Sequence, residues 1–195
     1  VADHRLPAAP LSFAHAAAEV RSTAFRDDLV VREIPAPAGV APEAIALAGD
    51  IRPEAEGDSP YGTGRFILLH DADEPAAWNG AWRIVCFAQA PLESEIGTDP
   101  LLADVAWSWL IDALDSRGAV YHSASGTATK TLSKGFGSLA EEGDGAQIEL
   151  RASWSPSGSM TPHVEAWAEL VCMLGGLPPG SEGIALLGPQ RTTRD

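Results

Sequence analysis

Residues His70-Asp71-Ala72-Asp73-Glu74 are the densest group of side chains in this sequence able to do chemistry. Three carboxylates so close together suit a hard cation, and an imidazole beside a carboxylate suits proton transfer. Arg65, Arg83 or His122 would complete a small-ligand or enzyme site if a sheet carried them to His70 and Asp71. The cluster follows no metal-loop spacing, however. An acidic turn that solvates a hairpin, with His70 closing the strand before it, is the simpler reading. His122 and His163 are far along the chain and reach this point only through the fold.

The other chemical patterns are weaker. Ser123-Ala124-Ser125-Gly126-Thr127 lacks the Gly-x-Ser-x-Gly elbow, and Thr131-Leu132-Ser133-Lys134 has Thr where a Ser-x-x-Lys nucleophile needs Ser. Gly62-Thr63-Gly64 and Gly135-Phe136-Gly137 match no phosphate loop. Asp104, Asp112 and Asp115 share a helical stripe with no basic partner, which reads as a solvated face. The residues therefore point to no catalytic group, no metal site and no cofactor. Six tryptophans are a further feature: Trp109, Trp154 and Trp167 fall on expected core faces, whereas Trp78 and Trp82 flank a turn. If that hairpin projects, the two rings form an exposed apolar spot suited to a protein partner.

The elements that must position these residues follow from apolar periodicity. Ser12 caps a first helix through Phe13, Ala16, Ala17, Val20 and Ala24, and Leu29 to Ile34 reads as a strand stopped by Pro35 and Pro37. Residues 42–51 are expected to form a short helix beginning at Pro42. Residues 52–63, rich in acid, Gly and Pro, are expected to form a mobile loop.

Two similar strand-strand-helix units then follow. In the first, Arg65 to His70 and Trp82 to Ala90 pair around Asn79-Gly80, and a helix runs from Asp99-Pro100 to a stop at Gly118. Leu102, Val105, Trp109 and Ala113 are expected to share its buried face, widened by Trp107, Leu110, Ile111 and Leu114. In the second, Ala119 to Leu132, broken at Gly126, pairs with Gln147 to Trp154. Ile148, Leu150, Ala152 and Trp154 point inward there, leaving a sheet face for water or a partner. Thr161-Pro162 opens the last helix, which ends at Gly175-Gly176. The phrase Ala106-Trp107-x-x-Leu110-Ile111-x-x-Leu114 returns as Ala166-Trp167-x-x-Leu170-Val171-x-x-Leu174. The fold class is α+β: an antiparallel sheet with helices packed on it, two such units in the second half and an N-terminal helix. One domain is expected over residues 1–195, with an ordered core of roughly 10–179 and mobile termini. The element order is similar to the layout of secretion-chaperone-like folds, which bind partners without catalysis.

Composition narrows the classes of partner. The chain has 195 residues and a formal net charge of -14, which repels phosphate backbones and anionic lipid, so nucleic acid and membrane are excluded as partners. No apolar run is long enough for a span and the first residues carry no signal core, so a soluble cytoplasmic protein is expected. Cys86 and Cys172 sit among apolar neighbours without Cys-x-x-Cys spacing and read as reduced packing residues.

Several phrases together carry a resemblance. They are Glu33-Ile34-Pro35-Ala36-Pro37, Leu68-Leu69-His70-Asp71, Trp78-Asn79-Gly80, Asp99-Pro100-Leu101-Leu102, Trp107-Ser108-Trp109-Leu110, Arg151-Ala152-Ser153-Trp154 and Gly176-Leu177-Pro178-Pro179. On these, from Pro10 to Pro179, the chain resembles an actinobacterial family catalogued as domain of unknown function 3000. The resemblance implies a cytoplasmic bacterial protein and brings no activity, substrate or catalytic residue. The chain has Gly39 where the family pattern leads one to expect a basic or polar residue. The function expected is a non-catalytic protein-binding or adaptor module. The alternative is a small-ligand or enzyme site near His70 and Asp71, and a homodimer through the exposed strand face is compatible with either.

Overall fold

The computed structural model describes residues 12–52, 62–142 and 145–178. The expectations of mobile termini and of a mobile loop over 52–63 fall mainly on residues outside these. The elements are α1 (Phe13–Ser22), β1 (Leu29–Ile34), β2 (Glu43–Ile51), β3 (Thr63–His70), β4 (Trp82–Leu92), α2 (Ser94–Gly97), α3 (Leu102–Ser116), β5 (Val120–Ser133), β6 (Gly145–Ser157) and α4 (Thr161–Leu174), with a 3-10 turn at Gly137–Glu142. The six strands form one sheet in the order β1-β2-β3-β4-β6-β5, every neighbouring pair antiparallel. The fold is α+β, as its apolar patterning leads one to expect.

Residues 43–51 are a strand and not the expected helix. Alanine at 44, 46 and 48 favours a helix by propensity. The larger residues Ile45, Leu47 and Ile51 nevertheless alternate, and the period of two decides the outcome once β1 and β3 pair on either side. Gly49 lies directly beneath α4, where a Cβ would stand 2.9 Å from the Trp167 ring. The turn leading into β2 passes through Gly39 at φ 76, a conformation that explains glycine at that position.

The two repeated phrases share their Ala and Leu core positions, but Trp107 and Ile111 are only half-buried where Trp167 and Val171 are buried. Ala106, Leu110 and Leu114 on α3, and Ala166, Leu170 and Leu174 on α4, all lie in the core. Both helices also stop by the same device. Ala119 N–H donates to Leu114 O at 3.0 Å around Gly118, and Leu177 N–H donates to Cys172 O at 2.9 Å around Gly176, each glycine having positive φ.

The α3 face differs from its expected one. Leu102, Ala106, Leu110, Ala113 and Leu114 are buried, Val105 is 38% exposed, and Trp107 and Trp109 are half-buried. The helix is rotated so that Trp107 lies over Gly126, where a Cβ would stand 2.7 Å from its ring. Gly126 accordingly does not break the strand: β5 runs through it, with its irregularity between His122 and Ser125.

The core lies between the helices and one face of the sheet. Trp154, Trp167 and Phe66 are wholly buried there. Trp167 packs 5.8 Å from Phe66 and donates its indole N–H to Phe87 O, which fixes α4 over the middle of the sheet. Among the described residues no helix is long and apolar enough to cross a membrane.

Candidate functional site on the open face of the sheet

Strand alternation separates the residues that the sequence places together. His70 and Trp82 are register partners on the helix-covered side, their rings 4.2 Å apart. Phe13 of α1 stacks on both, each at 6.3 Å. His70 Nδ1 meets Glu43 Oε2 at 2.6 Å, so its polar edge has a partner. Asp71 closes the turn: its N–H donates to Ala81 O at 2.9 Å and its Oδ1 accepts from Asp73 N–H at 3.0 Å. Arg65 and Arg83 stand one residue out of phase with His70 and Trp82, on the opposite face. His122 is exposed and registers with Ser155 on that same opposite face. Trp78 is half-buried, and its carbonyl accepts from the Ser155 hydroxyl. The structure thus brings His70 to Trp82, and links Arg83 to the backbone of Trp78 only through the Ser155 hydroxyl, while Arg65 stands apart from both. No group of three or more His, Cys, Asp or Glu able to hold a metal converges among the described residues.

A cleft of about 630 Å³ opens where the segment after α1 meets the end of α3 and the flank of α4. Both of its arginines are already paired, and its two further ionisable side chains, Asp27 and Glu165, are acidic. Arg26 holds Asp28 at 2.6 Å and Arg117 holds Glu169 at 3.0 Å. It resembles a solvated ion-pair groove more than a site with donors to spare.

The other candidate is the face that the helices leave uncovered. Three successive rungs cross it. Ile34, Ala46, Ile67, Val85, Ser153 and Ser125 form an apolar rung that ends in hydroxyls. Beside it run Arg32, Ala48, Arg65, Phe87, Arg151 and Thr127, and then Val30, Asp50, Thr63, Gln89, Glu149 and Thr129. Arg151 lies over the Phe87 ring, 5.6 Å from its centroid, and pairs with Glu149. Arg32 pairs with Asp50, and Arg65 approaches the same carboxylate at 3.9 Å. Burial works to raise the Asp50 pKa, but hydrogen bonds from Thr63 and Arg32 and the charges of Arg32 and Arg65 outweigh it, so Asp50 is held below the ordinary carboxylate range.

With Arg83, the strand positions of this face carry four arginines against Asp50 and Glu149, an excess of positive charge on a chain whose formal net charge is -14. The rung is missed in a reading of one strand at a time. Arg32, Arg65 and Arg151 are far apart in sequence, and only the registers of four strand pairs align them. The signal within reach was their shared out-of-core phase in three separate strands.

No curated protein and no solved structure matches the chain. A family model described as "Protein of unknown function (DUF3000)" matches residues 9–185, and the chain belongs to that family.

Proposed function

We propose that the protein is a non-catalytic binding module that holds an acidic segment of another protein across the open sheet face. The observation that carries this reading is the rung Arg32, Arg65, Phe87 and Arg151, flanked by the apolar rung Ile34, Ile67 and Val85. Arginine and aromatic side chains side by side supply planar, weakly hydrated surface, which favours interfaces. Because the rest of the chain is strongly acidic, it repels an acidic partner everywhere else, and that repulsion confines binding to this face. The setting is the cytoplasm, where a reducing environment suits the two unpaired thiols, Cys86 and Cys172. Nucleic acid and anionic membranes are poorer partners than a short acidic segment, because their extended charge would also face the acidic surface beyond this face. A site at His70 and Asp71 draws little support, since His70 is stacked and paired with Glu43 and Asp71 is spent on its turn.

The test is fluorescence anisotropy with a labelled glutamate-rich peptide of about twelve residues that also carries isoleucine and phenylalanine. Binding by the native chain should weaken as salt rises, and the triple variant Arg32→Glu, Arg65→Glu, Arg151→Glu should reduce it at least tenfold. Equal binding by the triple variant would overturn the assignment. Light scattering at two concentrations reads whether a second copy of this chain occupies the face instead.

A further inference from the structure

Arg83 is 9% exposed, and no carboxylate partners it among the described residues. A guanidinium withdrawn from water ordinarily faces a counter-charge. Here the acceptors are all neutral. Nη1 donates to Ser123 O at 3.1 Å and to Ser155 Oγ at 3.2 Å, and Nη2 donates to Ser153 Oγ at 2.6 Å. The Ser123 carbonyl is turned toward it by the β5 irregularity, where Ser123 takes φ 54. Ser155 in turn donates to the carbonyl of Trp78, so the residues around the guanidinium are themselves fixed.

A guanidinium carries about five N–H donors, and three hydrogen bonds leave Nε–H and one Nη2–H without an acceptor. The only wholly buried side-chain nitrogen or oxygen without a partner among the described residues is His163 Nε2, so Arg83 Nε is not fully sealed from solvent. Burial lowers the Arg83 pKa, with no neighbouring negative charge to offset the effect. Two donors on one planar group match the two oxygens of a carboxylate. A phosphate dianion is the poorer fit, because no second cation shares these partners.

We infer that Arg83, held by Ser123, Ser153 and Ser155, is a carboxylate-binding site at the end of the open face. The carboxylate is a side chain or the C-terminus of the bound segment. This rests on the reading of the open face as a docking surface.

The experiment is an NMR titration of the arginine Nε–Hε signals of the full chain, first with sodium acetate and then with the acidic peptide. The Arg83 signal is assigned from the spectrum of Arg83→Lys. Acetate should shift the Arg83 signal saturably and leave those of Arg32, Arg65 and Arg151 little changed, with inorganic phosphate at equal ionic strength giving the smaller effect. The peptide should shift Arg83 at far lower concentration. A peptide amidated at its C-terminus that still does so identifies a side-chain carboxylate; loss of the shift on amidation identifies the terminus.

The inference is overturned if acetate moves all four arginines alike or leaves Arg83 still. A response to acetate without one to peptide keeps the carboxylate site and removes the docking reading beneath it. Because Arg83 also ties β4 to β5 and β6, Ser153→Ala serves as a milder variant. It frees Nη2 without removing the charge, and it should change the acetate affinity severalfold with the rest of the spectrum preserved.

Discussion

Phe87 on β4 and Arg151 on β6 stand opposite each other in the ladder, with the guanidinium carbon 5.6 Å from the ring centroid. The aromatic ring and the Glu149 carboxylate together hold this guanidinium in place over the open face, although the Arg151 side chain is 68% exposed. A long exposed side chain normally loses rotamer freedom on binding, and one already held loses less. The pair is therefore an ordered element of the proposed docking surface.

Phe87→Ala should cost about 1 kcal/mol of folding stability from the ring contact itself, with a further loss from apolar burial. Binding of the acidic peptide should weaken more than that of Val85→Ala, because Arg151 loses its support. Paired urea melts and anisotropy titrations check both. Equal binding losses in the two variants would show that Phe87 acts only as apolar surface.

His163 is wholly buried, accepts from Trp154 Nε1–H through Nδ1 at 3.1 Å, and has an unpartnered Nε2. Burial pushes its pKa down to about 4, against an ordinary 6.5. Between those values the unfolded chain binds a proton that the folded chain does not. Stability is therefore full above pH 6.5 and falls as pH drops toward 4, by about 3 kcal/mol in all. Urea melts at pH 7 and pH 5 measure the slope, and His163→Phe should flatten it while lowering stability at neutral pH by removing the acceptor of Trp154.

Gly64→Ala should be among the most damaging small changes. Its Cβ would stand 2.9 Å from Trp167 Nε1 and 3.0 Å from the Phe87 carbonyl, besides meeting Val171. Displacing α4 from the sheet should cost about 2 kcal/mol or more. Gly118→Ala has open space around it but a φ of 67, and should cost about 1 kcal/mol. Thermal melts of the two variants give the order.

Cys86 and Cys172 have their thiols pushed up to about 12 by burial. Neither should react with an aromatic disulfide reagent at pH 8 while the chain is folded, and both should react in denaturant. Rapid native-state labelling at either would mean that α4 or the central strand opens far more readily than this packing allows.

The apolar periodicity makes most of the architecture legible: the capped α1, the Schellman stops at Gly118 and Gly176, the inward row Ile148 to Trp154, and the repeat of α3 in α4. Residues 43–51 were not legible, because alanine supports a helix locally and only pairing with β1 and β3 selects the strand. The rotation of α3 was hidden for a similar reason, since it depends on room made for Trp107 by a glycine on another element. The His70 cluster drew attention by its composition, yet alternation splits it from Arg65 and Arg83. The arginine rung has the opposite character: its members are unremarkable in sequence and meaningful only in register.

Chemical-shift mapping of the backbone amides during titration with the acidic peptide tests the central claim most directly. The account predicts perturbations on β1, β3, β4 and β6 centred at Arg32, Arg65, Phe87 and Arg151, with α1 and the outer side of α4 silent. Perturbations confined to the cleft around Arg26 and Arg117, or to His70 and Asp71, would contradict it.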